Sequence, residues 1–185
     1  MYSKPIIVFL SAFLFACAGP NPNTGERTTD LGWTSGNYQQ AFDTAKIYAE
    51  QGQPWAQLRL GIFYANGWGV DKDEKIASSW YQKAAAQTAT GDWANGQIAG
   101  ATGKTGFFNQ NSDALIAKFN LAQLYFEGAG VEKDLSKSLE LVNKVITESN
   151  GESVLFCCEF SSPRYFTQEQ FIGLKSKIEK ELSAN

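Results

Sequence analysis

Over most of its length the chain sets apolar side chains three or four positions apart, the interval of a single helix face. Ala56, Leu60, Phe63 and Tyr64 follow it and predict a helix over 54–66. Gly67 stands where that helix would end in the left-handed conformation that glycine tolerates. Gly69 permits a second unusual backbone angle or a close approach. Val70 then returns to the core, Asp73 is a good N-cap, and Ile76, Ala77, Trp80, Tyr81, Ala84 and Ala85 make 74–87 an amphipathic helix. The same spacing predicts helices over 113–127 and 135–148, the second turning Leu135, Leu139, Val142 and Ile146 inward. Ser153 to Phe160 is a short apolar run suited to an extended segment. Thr167 can cap a helix over 167–182 with Phe171, Leu174, Ile178 and Leu182 as its stripe.

Two of these stretches are copies of one another. LGIFYANGWGVDKD (60–73) aligns without a gap on LAQLYFEGAGVEKD (121–134), with seven identities in fourteen positions at an offset of 61. The unit is helix, Gly-x-Gly turn, helix. It resembles the Sel1-like repeat, a relative of the tetratricopeptide repeat, whose pattern is A-x-x-x-L-G-x-x-Y-x-x-G-x-G-V-x-x-D followed by K-A-x-x-W-Y-x-K-A-A. The first copy carries Ala56, Leu60, Gly61, Tyr64, Gly67, Gly69, Val70, Asp73, Ala77, Trp80, Tyr81, Lys83, Ala84 and Ala85, with Ile76 in place of lysine. The second copy is degenerate: it has Ala122 for the first glycine and Leu141-Val142 for Trp-Tyr. Residues 41–57 look like a preceding half unit. The resemblance implies an all-α fold, a short α-solenoid of antiparallel helix pairs over 31–149, closed by a C-terminal cap over 150–185. The offset of 61 leaves about 25 residues more than such a repeat needs. They fall near 86–110, a Gly-rich stretch with Trp93, Phe107 and Phe108. A short helix around 92–102 fits that stretch, and it either packs over a repeat groove or contacts a partner directly.

The N-terminus departs from the helical pattern. Lys4 precedes an apolar run, Ile6 to Phe15, that is too short to cross a bilayer and fits the core of a secretory signal. It ends in Leu14-Phe15-Ala16-Cys17, which resembles the lipobox of bacterial lipoproteins, with Phe15 where a small residue is usual. The resemblance implies removal of 1–16, lipidation (palmitate among the acyl chains) of Cys17 and stable membrane anchoring; an ordinary cleaved signal and an uncleaved anchor are the other readings of the segment. Ala18 rather than aspartate after the cysteine implies the outer membrane, facing the periplasm. Residues 18–30 hold two prolines and two glycines without apolar periodicity, and so read as a flexible tether.

Composition narrows the chemistry. There is no histidine, which excludes Ser-His-Asp and Cys-His nucleophile pairs and HExxH zinc sites. With 16 basic and 19 acidic residues the chain lacks the basic excess of a nucleic-acid binder. Cys157 and Cys158 are adjacent; they are either buried thiols or a disulfide, and no CxxC spacing supports a metal or redox site. Asp71, Asp73 and Glu74 crowd the turn as helix caps and dipole partners. No cofactor or metal is expected.

The repeat positions are set by packing, which leaves function to variable surface residues. Trp68, between two turn glycines, is either tucked over the next helix or an exposed anchor for a partner. Trp55, Arg59 and Phe63 could contribute to a concave binding face, and Trp93 belongs to the insertion. The reading is a non-enzymatic, lipid-anchored module that binds another protein, as a scaffold or assembly factor of an envelope complex. The resemblance equally permits an immunity protein that blocks a secreted antibacterial effector such as a phospholipase. A β-lactamase-like hydrolase, described for some cysteine-rich relatives, is remote. The chain lacks their regular cysteine pairs, and Ser136–Leu139 (SKSL) and Ser176–Glu179 (SKIE) miss the Ser-x-x-Lys site.

Overall fold

The structure is a computed structural model that describes residues 22–87, 112–157 and 164–184. Seven helices and one two-stranded hairpin stand in these residues: α1 (Pro22–Thr34), α2 (Tyr38–Glu50), α3 (Pro54–Asn66), α4 (Glu74–Ala85), α5 (Ser112–Glu127), α6 (Leu135–Glu148), β1 (Val154–Cys157), β2 (Arg164–Phe166) and α7 (Gln168–Ala184). Each helix packs on the next in the chain, and α3 also packs on α5. That neighbour-to-neighbour pattern is an all-α solenoid of helix pairs.

The Gly-x-Gly turn explains the repeat. Gly67 ends α3 at φ 72°, and its N–H donates to the Phe63 carbonyl at 2.8 Å. Gly128 does the same to Leu124 at 2.8 Å. The N–H of Asp73 then closes the turn on the Tyr64 carbonyl at 2.9 Å, and that of Asp134 on Tyr125 at 3.0 Å. Both aspartates cap the following helix through their side chains, accepting from the N–H groups of Ile76 and Lys137. The second glycine sets the stacking between units. A Cβ on Gly69 would overlap the Tyr38 carbonyl, and one on Gly130 would overlap the Glu74 carbonyl. Each turn therefore rests on the first residue of the helix two elements before its own helix pair's second member: α2 under the first turn, α4 under the second.

The core has two parts. Phe42, Tyr48, Trp55, Leu60 and Phe63 form one between α2 and α3. Leu58, Tyr81, Leu115, Phe119, Val142, Phe171 and Ile178 belong to the other, from α3 to α7. Trp33, Tyr64 and Trp68 pack against both. In α6, Val142 is fully buried as expected, whereas Leu135, Leu139 and Ile146 are only partly buried; Ser138 and Val145 take the inner positions. Ile76 and Leu182, read as inward, are exposed. β1 pairs antiparallel with β2, Val154 opposite Phe166. Thr167 and Gln170 form a reciprocal cap at the start of α7, the Thr167 N–H donating to Gln170 Oε1 at 2.8 Å.

The expectation of a tether is overturned. The tether read over 18–30 is helical from Pro22 onward, and α1 is an integral layer. Pro22 suits a first helical position. The glycines inside α1 are contact points, not breaks. A Cβ on Gly25 would overlap the Tyr48 ring, and one on Gly32 would come within 3.1 Å of Ala41 Cβ. Among the described residues no helix is long and apolar enough to cross a membrane.

Candidate partner-binding site

The residues named from sequence do not form a surface. Trp55, Arg59 and Phe63 are at most 1% exposed, so none can meet a partner directly. Trp55 packs on Tyr48 with ring centroids 5.3 Å apart, and Phe63 meets Trp33 and Phe42 edge-on. These are core contacts, and the expectation of a concave binding face built from these three is corrected. Trp68 is half-buried. It stacks on Tyr38 at 5.5 Å and 17° and stands 5.4 Å from Trp33, so the ring is tucked against earlier elements and not over the next helix. Its seat is on the preceding helices α1 and α2. Cys17, Trp93 and Cys158 lie outside the described residues, as does 88–111. Cys157 ends β1, and its pairing with Cys158 therefore falls outside what is described.

Arg59 has another role. Its Nε bonds Asp30 Oδ1 at 3.1 Å, its Nη1 stands 3.8 Å from Asp113 Oδ1, and its Cζ lies 5.7 Å from the Trp33 ring centre. Burial alone would push the Arg59 pKa down, but Asp30, Asp113 and Glu26 outweigh it and hold the guanidinium charged. Burial, with Asp113 beside it, pushes Glu26 up to about 7 against the partial pull of Arg59. Burial likewise raises Asp113 to about 6. This buried network ties α1, α3 and α5 together, which explains why α1 is docked.

Beyond Trp33 the same face opens into a groove of 360 Å³. Heptad-like spacing puts Arg59, Ile62 and Asn66 on one face of α3, and Asp113, Asn120 and Glu127 on one face of α5. In the groove Ile62, Leu124 and the Tyr81 ring supply apolar surface, Trp33 and Phe166 wall it, and Asn66, Asn120, Gln123 and Glu127 supply polar groups. Asn66 donates its Nδ2 to the Ile62 carbonyl at 2.8 Å. Asn120 hydrogen-bonds Tyr81, which partly offsets the upward push of burial on that phenol. Gln123 makes no hydrogen bond and Glu127 no ion pair among the described residues. A groove with apolar surface and a few convergent polar groups is the usual form of a binding site. Its chemistry is recognition: amides can donate and accept at once. Among the described residues no group of His, Cys, Asp and Glu could hold a metal ion. Sequence reasoning missed Asn66, Asn120, Gln123 and Glu127, although polar residues at intervals of seven along an otherwise apolar helix marked all of them but Gln123.

Comparison with known proteins agrees with this architecture. Residues 56–88 and 115–144 match the Sel1 repeat. A 46-residue stretch is 46% identical to the chitin synthase regulator SKT5 of Saccharomyces cerevisiae, covering 25% of this chain and 7% of that protein. Among solved structures, a Sel1 repeat protein from Oxalobacter formigenes superposes with a TM-score of 0.50 at 24% identity, over 67% of this chain and 41% of that one. A protective antigen of uropathogenic Escherichia coli strains, displaying an SLR fold, gives 0.59 at 19% identity, over 88% of this chain and 26% of that one. The chain thus spans less than half the length of each of these three proteins.

Proposed function

The chain carries two Sel1 repeats, generally modules of protein–protein interaction, and from that premise we propose that it is a lipid-anchored, non-enzymatic binding module of the bacterial envelope that grips a partner protein in the groove between α3 and α5. The observation that carries the reading is the groove itself: Gln123 and Glu127, which have no hydrogen-bond or ion-pair partner among the described residues, stand beside apolar surface at the join of the two repeats. A partner segment would satisfy those groups and cover that surface.

The anchor is Cys17, with the folded part facing the periplasm from the outer membrane. Only residues 18–21 separate it from α1, five residue steps from Cys17 to Pro22 and a reach of at most about 18 Å. The solenoid would therefore be held close to the bilayer, its first helix pair nearest the lipid.

Two measurements test the two halves. Mass spectrometry of the membrane fraction should find acyl chains on Cys17, and Cys17→Ala should release the protein to the soluble periplasm; an unmodified Cys17 removes the anchor. A photoreactive residue at Gln123 should crosslink one partner in intact cells, while one at the exposed Ser79 of α4 should not. Equal crosslinking at both positions removes the groove.

A further inference from the structure

The face that carries the groove is acidic at both ends and neutral between. At one end Glu127 lines the groove with no cation against it among the described residues. At the other, three carboxylates, Glu26, Asp30 and Asp113, surround the single guanidinium of Arg59. Asp30 takes that guanidinium at 3.1 Å; Asp113 stands off at 3.8 Å with its side chain 24% exposed, and Glu26 is half-buried. The described residues thus leave this end with more negative than positive charge. Trp33 joins the two ends, lying against Arg59 and walling the groove. Asp113, Asn120 and Glu127 form one line down α5, about 21 Å long at ~1.5 Å per residue. An extended chain covers about 3.3 Å per residue, so six residues span that line.

We infer that this face takes an extended segment of the partner that carries basic side chains at two positions about six residues apart, with small or apolar residues between them. The inference rests on the groove reading and adds the partner's chemistry. One basic group would meet Glu127, the other Asp113 and Glu26. Between them an extended backbone offers donors and acceptors to Asn120 and Gln123, and its side chains meet Ile62 and Leu124. An acidic segment would add charge of the sign already in excess and be repelled.

Proton linkage gives the inference a signature. In the free protein the excess charge at the Arg59 end is relieved by proton uptake, with Glu26 raised to about 7 and Asp113 to about 6 by burial. The groups facing this end are Glu26 and Asp30 from α1, Arg59 from α3 and Asp113 from α5. A basic side chain arriving there displaces the protons, so binding strengthens as pH rises through this range.

The test is selection of a random nine-residue peptide library on the purified full-length chain in detergent micelles, followed by affinity measurement of the enriched peptides. Enriched peptides should carry Lys or Arg at two positions about six apart. They should bind more tightly at pH 8 than at pH 5.5. They should lose roughly threefold to tenfold in affinity against Glu127→Gln, whose exposed site leaves the melting temperature unchanged. Enrichment of acidic or uncharged peptides at the groove overturns the basic partner and leaves the groove reading standing. Absence of enrichment, or peptides indifferent to Gln123→Trp, overturns both.

Discussion

The two repeats share a backbone plan and differ in how they fill it. Both turn on paired left-handed glycines at φ 67–73°, and both cap their second helix with an aspartate. In the first repeat Gly61 leaves room for the Tyr81 ring, which a Cβ would overlap. In the second, alanine stands at the equivalent Ala122 and the smaller Val142 opposes it, while Ser138 spans the gap by donating to the Ala122 carbonyl at 2.6 Å. Trp68 covers the first turn and Ala129 the second; buried Arg59 corresponds to Asn120 at the groove. The turn and cap fix the repeat, whereas the interior is exchangeable as long as volume is conserved. The departures that are not about volume, Arg59 and Asn120, are where the chain gains a docked first helix and a binding groove.

The largest expected effect breaks this asymmetry at Arg59. Arg59→Ala leaves buried carboxylates without their cation and should cost about 3–5 kcal/mol in urea unfolding. Asn120→Ala, at the equivalent position, should cost under about 1.5 kcal/mol. Similar losses at both sites would show the network to be inert.

The glycine–tyrosine pair comes next. Gly61→Ala should destabilise by about 1–3 kcal/mol through overpacking against Tyr81. Adding Tyr81→Val should recover part of that loss by recreating the second repeat's solution. A double-mutant cycle with no coupling would refute the exchange.

Asp73→Ala and Asp134→Ala should each cost about 1 kcal/mol, by equal amounts, because the two caps have the same geometry. Unequal losses would mean that the repeats differ in their turns as well as their interiors.

The smallest effect is on pH dependence. Glu26 and Asp113 titrate at about 7 and 6 in the folded chain, above the ordinary 4.5 and 3.8. The folded state therefore binds more protons than the unfolded state between those limits. Their contribution to stability is present at acid pH and is lost as pH rises from about 4 through about 7. Glu26→Gln should flatten the melting temperature over that range and raise it at pH 8. A slope unchanged from the parent chain would place the titration elsewhere.

Helix boundaries in the repeats were legible because their punctuation is chemical: Gly67, Gly128, Asp73 and Asp134 each have one job that few residues can do. α1 was not legible. Its buried face is made of Gly25, Thr29 and Gly32, small residues that admit the Tyr48 ring and the α2 backbone. A search for apolar periodicity passes over such a face, and the glycines read as loop. The groove escaped for a related reason. It is assembled from polar residues of two repeats plus Trp33 and Phe166, positions far apart in the chain, and only packing brings them together. Arg59 and Trp68 stand out as candidate binding residues in the sequence, but a charged or aromatic residue looks alike there whether it faces a partner or the core. Burial decides it.

The most direct test of the central claim is a quantitative pull-down from envelope extracts with three baits: the wild-type chain, Gln123→Trp to fill the groove, and Trp68→Ala to disturb the tucked ring. The account predicts one stoichiometric partner, lost with Gln123→Trp and retained with Trp68→Ala. A partner lost with Trp68→Ala and kept when the groove is filled would contradict it.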